Sequence, residues 1–184
     1  MDALKGVAFW GIFFLHVNFA VEWAAFGVSL FFVISGYLLE SRHLNDIKAV
    51  GGVLSSVRFT IKHIKRAYPV HIFTMLVAVY LRIKQYGMDQ WALDVLKRDI
   101  FLNIFLIQSW YPAVNVNVSL NGVAWYLSSI TFCYLMFVPI HRCLMNKSYS
   151  TLRIVITFIL ASQIVVSLIA ICVNPEDNIY RWVT

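Results

Sequence analysis

The chain of 184 residues is 60% hydrophobic and 13% charged, whereas a soluble domain is typically about 45–50% apolar and about 25% charged. A soluble core of this size could not enclose so many apolar side chains, so the composition excludes an ordinary soluble domain and predicts a membrane protein. The formal net charge of +6 fits basic cytoplasmic loops and does not predict a nucleic acid partner. The cysteines show neither a paired pattern nor zinc spacing, so no metal site is predicted.

The apolar residues fall in blocks that predict an all-α integral membrane protein with about five transmembrane helices. The predicted spans cover residues 6–21, 23–39, 67–81, 122–140 and 154–173. A further apolar block, residues 100–111, is too short to cross the bilayer and is predicted to be re-entrant or interfacial. Trp110 and Tyr111 at its end suit an interface.

The distribution of Lys and Arg predicts the orientation of these spans. The loop 41–66 contains one acid, Asp46, against the basic residues Arg42, Lys48, Arg58, Lys62, Lys65 and Arg66. The loop after the fourth predicted span contains Arg142, Lys147 and Arg153 and no acid. By the positive-inside rule both loops face the cytoplasm, as does the N-terminus. Residues 82–99 and 175–184 are then expected outside.

His16 is the first candidate for chemistry. It lies inside the first predicted span, where an ionisable group is expensive and commonly functional. The alternative is a neutral His that only bonds a neighbouring helix. Lys5 lies eleven residues earlier, and eleven residues of a helix rotate about 20° beyond three full turns. Lys5 and His16 therefore share one helix face and lie about 16 Å apart along the helix axis. The pair indicates a path for a polar molecule from the cytoplasm, although Lys5 alone could be a snorkelling flank residue.

The second candidate is the segment 27–37, GVSLFFVISGY. Small residues let helices approach closely in membranes, so Gly27 and Gly36 are expected to bring this span against the His16 helix. Helix packing explains most of the segment. Ser35, which offers a hydroxyl, and Gly36 are the positions predicted to be functional.

The third candidate is the segment 59–69, FTIKHIKRAYP. Lys62, Lys65 and Arg66 recur at helical spacing and are expected on one face just before the third span. Clustered cations can bind phosphate groups, Arg with bidentate geometry. The alternative is a positive-inside anchor that contacts only anionic lipid.

Together these motifs resemble the acyltransferase-3 family of membrane-bound O-acyltransferases. DALKG with a later His is similar to the family's opening, Asp-x-Leu-Arg-Gly followed by a His. In the family an Arg or Lys is followed by ten residues and then the His, and Lys5 and His16 keep this spacing. GVSLFFVISGYLL resembles the second-span signature, FTIKHIKRAYP an Arg-rich block ending in Pro, and WYLSSITFCYL a Trp-x-Leu…Tyr-Leu stretch. Ser29 stands where many members have Asp, and Lys62 and His63 replace a paired Arg.

The resemblance implies transfer of an acyl group, usually acetyl from acetyl-CoA, to a hydroxyl of a saccharide, a lipid-linked glycan or a similar cell-envelope acceptor. It implies His16 as general base, with an acyl-histidine intermediate as a second mechanism. Lys5 would steer the phosphate or thioester end of the donor and Ser35 would line the acyl channel. Lys62, Lys65 and Arg66 would hold the phosphates of acyl-CoA, a donor substrate rather than a permanently bound cofactor.

The resemblance also implies a multi-pass protein of the bacterial inner membrane, in contact with membrane lipid. Family members typically have about ten spans, so the single domain 1–184 is expected to be the N-terminal half of such a bundle, truncated at its C-terminus. Two other classes stay open: a small transporter or channel subunit, and an inactive membrane scaffold. Stable acyl-CoA binding would favour the enzyme over the channel, and activity restored by a co-expressed C-terminal half would exclude the scaffold.

Overall fold

The structure is a computed structural model that describes residues 6–7, 9–10, 13–14, 21–48, 53–87, 89–111 and 113–173. These residues form α-helices, short 3₁₀ turns and connecting segments, with no strand among them. The prediction of an all-α fold is therefore confirmed for the part of the chain that is described. Internal contacts divide the chain into two compact units, residues 1–50 with 157–184 and residues 51–156.

The first unit contains helix α1, Val21–Lys48. It includes the second predicted span but continues through residues 41–48, which were expected to be loop. These eight residues include no Gly or Pro, so nothing in them interrupts the helical hydrogen bonds. Gly36 is exposed, and an added Cβ would meet no atom of the described residues within 4 Å. The predicted partner, the His16 helix, lies largely outside the described residues, so the close helix contact at Gly36 stays a prediction.

The second unit begins with helix α2, Val53–Ile64, and helix α3, Tyr68–Tyr86. Pro69 lies in the first turn of α3, where its missing N–H costs nothing. The same proline could not have continued α2, because its N–H would be needed there. α3 ends at Gly87, whose φ of 75° is readily adopted only by glycine. The third predicted span is therefore a helix that runs several residues further than expected.

Helix α4, Gln90–Ile104, occupies much of the segment that was expected to be an outside loop. Asp89 caps it by accepting a hydrogen bond from the Ala92 N–H at 2.6 Å. The block 100–111 is consequently not one separate segment: it contains the end of α4 and then a 3₁₀ turn, Gln108–Trp110.

The end of α4 has the Schellman geometry, with leucine in the position that glycine usually takes. Leu106 has φ of 55°, its N–H donates to Asn103 O, and the Ile107 N–H donates to Leu102 O. A non-glycine residue in this left-handed region costs about 1–3 kcal/mol. The Leu106 side chain is almost completely buried, and its burial offsets that cost.

Helix α5, Val114–Asn117, and a 3₁₀ turn, Gly122–Ala124, lead into helix α6, Trp125–Leu144, which is followed by helix α7, Tyr149–Val173. α2 packs on α6 through aromatic side chains. The Phe59 and Phe137 rings stack with centroids 5.4 Å apart, and the Tyr134 ring lies edge-on to Phe59 at 6.4 Å.

Two segments of the described residues are long and apolar enough to cross a membrane, Gly122–Leu144 and Tyr149–Val166. They correspond to the fourth and fifth predicted spans. The other apolar helical segment, Gly27–Ser41, is shorter. α3 carries His71, Arg82 and Lys84 and does not qualify. The first predicted span falls largely outside the described residues, so a total of five transmembrane helices is not confirmed.

Ser128 of α6 joins this helix to the segment that follows α4. Its Oγ donates to Leu106 O at 2.8 Å and accepts from the Ser109 N–H at 3.1 Å, and the residue is completely buried. Ser128→Ala would leave both backbone groups without this partner, so we expect a loss of about 1–3 kcal/mol in the free energy of unfolding. Denaturant unfolding in detergent measures it. Ser129→Ala, at the half-buried neighbouring position, should change stability by less than about 0.5 kcal/mol, and equal losses would contradict the role of Ser128.

Candidate functional site

The predicted site residues lie in different parts of the structure. Lys5 and His16 are outside the described residues, so their shared helix face stays a prediction. Ser35 lies in the middle of α1 and is half-buried. It belongs to the first unit, whereas Lys62, Lys65 and Arg66 belong to the second.

The three predicted phosphate-binding cations lie at the junction of α2 and α3, which we call the basic turn (residues 62–66). Lys62 is in the last turn of α2, and Lys65 and Arg66 follow the end of that helix. All three are exposed. The Lys65 N–H still donates to Ile61 O at 3.1 Å, so the helical path extends as far as Lys65.

His63 follows Lys62 in the chain but packs against aromatic rings. Its Nδ1 lies 2.7 Å from Phe59 O, and since a carbonyl can only accept, Nδ1 is the donor. The imidazole centroid lies 4.2 Å from that of Phe59 and 5.1 Å from that of Tyr134. His63 is therefore part of the aromatic contact between α2 and α6.

A buried polar cluster, which sequence reasoning missed, lies toward the other end of α3. Its centre is Asp99 of α4, with only 1% of its side chain exposed. Asp99 Oδ2 accepts from Arg82 Nη1 at 2.9 Å, and Oδ1 accepts from Arg98 Nη2 at 2.7 Å and from Arg98 Nε at 3.0 Å. One carboxylate thus pairs with two guanidinium groups, which leaves a local charge of +1.

Asn103 extends the cluster one turn along α4. Its Nδ2 donates to Asp99 O at 2.9 Å and to Ser119 Oγ at 3.0 Å. The backbone carbonyl oxygen of Asn103 lies 2.9 Å from His71 Nε2. Because a carbonyl oxygen can only accept, Nε2 must be the donor. A neutral His71 then has an acceptor at Nδ1, and Nδ1 is buried without a partner among the described residues, as is Asn103 Oδ1. The network holds α3, α4 and the segment before α6 together.

The Asp99 pairing had a weak signal in the sequence, because this acid directly follows Arg98 and immediately precedes the apolar block 100–111. The contacts of His71 and Ser119 with Asn103 had no local signal, since both partners are distant along the chain.

Comparison with known proteins decides the family. Residues 1–183 match the acyltransferase domain that defines acyltransferase-3. The chain belongs to the acyltransferase-3 family. This family is membrane-associated, in agreement with the two apolar helices described above.

Two relatives of this acyltransferase-3 chain come from Staphylococcus aureus. The protein named "Putative O-acetyltransferase SACOL0978", of strain COL, is 32% identical over 123 residues, which cover 64% of this chain and 19% of that protein. The O-acetyltransferase OatA of strain NCTC 8325 is 30% identical over 121 residues, with the same coverage of 64% and 19%. The chain therefore spans about a fifth of the length of these relatives. No solved structure matches it significantly.

Proposed function

We propose that this acyltransferase-3 chain takes part in O-acyl transfer, in which an acetyl or other acyl group passes from acyl-CoA to a hydroxyl of a saccharide or other cell-envelope acceptor. The observation that carries the proposal is the family match over residues 1–183, and relatives named as O-acetyltransferases support it. The proposed location is the bacterial inner membrane, with the N-terminus in the cytoplasm.

His16 is the proposed general base. It would remove the proton of the acceptor hydroxyl as the oxygen attacks the thioester carbonyl. The protonated imidazole would then give that proton to the sulfur as the C–S bond breaks and coenzyme A leaves as the thiol. Lys5, on the same predicted helix face, would attract the negatively charged donor toward that carbonyl. Ser35 would line the path of the acyl group. These roles follow from the family spacing and from the helical arithmetic of the sequence.

The basic turn is the proposed binding site for the phosphates of acyl-CoA. Exposed cations at the end of α2 and in the following turn can reach a ligand without moving the helices that carry them. A guanidinium group at Arg66 can bind a phosphate with two parallel hydrogen bonds, and Lys62 and Lys65 add point charges. The neighbouring His63 donates to Phe59 O and lies against the Tyr134 ring, so it is not included among the proposed phosphate ligands.

Arg66→Ala should therefore weaken acetyl-CoA binding about tenfold at low salt, because a charge-assisted hydrogen bond is worth about 1.5–3 kcal/mol and this site is exposed to water. The ratio of the dissociation constants should shrink in high salt, since screening already weakens binding by the unsubstituted protein. Isothermal titration of the full-length protein in detergent measures both constants.

Arg153→Ala is the matched control, because Arg153 is also exposed, belongs to the second unit and lies on the predicted cytoplasmic side. It should leave acetyl-CoA binding unchanged. Equal affinities of unsubstituted protein and Arg66→Ala would leave only a lipid anchor as the role of Arg66.

A further inference from the structure

A cavity of about 540 Å³ lies in the second unit, at the C-terminal end of α3. Its walls come from the last turns of α3, the first turns of α4, and the segment 115–120. The polar and aromatic side chains in these walls are Arg82, Gln85, Tyr86, Asn115 and Ser119. The volume falls within the range of about 300–1,000 Å³ that small-molecule sites occupy.

We propose that this cavity binds the carbohydrate acceptor. The role as acceptor site rests on the acyl transfer proposed above, whereas carbohydrate binding itself does not require catalysis. The argument has four parts: a fixed cationic donor, an oriented hydroxyl, an aromatic rim, and the position of the cavity at one end of α3.

Arg82 supplies the fixed donor. Asp99 accepts from its Nη1 at 2.9 Å and is itself buried, while 31% of the Arg82 side chain remains exposed. A guanidinium group has five N–H donors, so donors beyond that contact can reach the oxygens of a ligand. Because Arg98 also pairs with Asp99, the carboxylate does not cancel all of the local positive charge, and oxygen-rich ligands are favoured.

Ser119 supplies the oriented hydroxyl. Its Oγ accepts from Asn103 Nδ2 at 3.0 Å, and a hydroxyl that accepts in this way still has its own proton to donate. Asn103 thereby holds the Ser119 side chain in place, and an oxygen of a hydroxyl-rich ligand in the cavity can accept the Ser119 proton.

Tyr86 and Gln85 form the rim at the end of α3, where 64% of Tyr86 is exposed. A sugar ring has apolar C–H faces and polar hydroxyl edges. An aromatic face beside amide and hydroxyl groups, such as Gln85, Asn115 and Ser119, matches both. An acyl chain could form no hydrogen bond with these polar groups, whereas a saccharide could, so we assign the cavity to carbohydrate and not to lipid.

The cavity and the basic turn lie at opposite ends of α3. A helix of 19 residues is about 28 Å long, so the two sites are separated by about that distance. The basic turn directly precedes the first residue of α3, and the cavity is lined by the last ones. In the orientation that the Lys and Arg distribution predicts, the donor would bind on the cytoplasmic side and the acceptor on the outer side of one helix.

Photocrosslinking in cells tests the assignment even though the saccharide is unidentified, because the cell supplies the ligand. The probe is p-benzoylphenylalanine, introduced at Tyr86 of the full-length protein. Its control is the same probe at Tyr80, which is 59% exposed on the same helix but does not line the cavity. After irradiation, periodate oxidation and hydrazide labelling detect covalently bound carbohydrate on the purified protein. We expect labelling at position 86 and little at position 80.

Ser119→Ala in the position-86 background should reduce the labelling about fivefold, the equivalent of one neutral hydrogen bond. Arg153→Ala should not reduce it, because Arg153 is exposed and does not line the cavity. No carbohydrate at position 86, equal labelling at 86 and 80, or capture of phospholipid alone would overturn the inference. If the probe at position 86 captures carbohydrate but the unsubstituted protein transfers no acyl group, the proposed function is wrong and the carbohydrate site still stands.

Discussion

Asp99→Ala is expected to lower the free energy of unfolding by about 2–3 kcal/mol. The substitution removes a nearly fully buried carboxylate that accepts hydrogen bonds from two guanidinium groups. Arg82 and Arg98 would then repel each other without a counter-charge between them. This loss in the free energy of unfolding is smaller than the largest losses known for broken buried ion pairs, because both arginines remain partly exposed to water. Denaturant unfolding of the detergent-solubilised protein measures it.

Asp94→Ala is the matched control on the same helix. Asp94 pairs with Lys97 at 3.3 Å, but both side chains are more than half exposed, and such surface pairs contribute little. We expect a change below about 0.5 kcal/mol. If Asp94→Ala and Asp99→Ala destabilise the protein equally, the Asp99 pairing does not hold α3 to α4 as described.

The sequence predicted the helices whose apolar runs are uninterrupted. α6 and the membrane-length part of α7 carry few charges, so hydropathy alone identifies them. Pro69 correctly indicated where α3 begins. α4 was missed because Arg98 and Asp99 look like loop residues when each is counted as an exposed charge. In the structure they pair with each other, and pairing removes most of the cost that hydropathy assigns to them.

The candidate site was predictable only in part. The spacing of the cations at residues 62, 65 and 66 predicted a basic segment just before α3, and the structure shows all three exposed there, while their role in phosphate binding stays a prediction. The cluster of His71, Asn103 and Ser119 was not found, because its contacts join residues 16 to 32 positions apart. The end of α4 gave no signal either, since Leu106 occupies a position where glycine would have marked the helix end.

His16→Ala is expected to lower acyl transfer by about 10²–10⁴-fold, the usual contribution of general acid–base catalysis. Membrane insertion should survive, because alanine removes a polar group from the apolar segment that surrounds it. His16→Gln keeps a hydrogen-bonding side chain but cannot act as a base at neutral pH, so its rate should be equally low. If His16 only packs against a neighbouring helix, both variants should lose some stability and keep a similar rate per folded molecule.

The most direct test of the proposed function is the rate of acetyl transfer from acetyl-CoA per folded molecule of the full-length protein, for His16, His16→Ala and His16→Gln. Folded protein is quantified by monodisperse elution in detergent, and acetyl-CoA binding is measured on the same samples to show that the donor site is intact. The account predicts normal donor binding in all three proteins and a rate at least about 100-fold lower in both variants. Rates within a factor of about three of the unsubstituted protein in both variants, a difference below about 1 kcal/mol in the barrier, would contradict it.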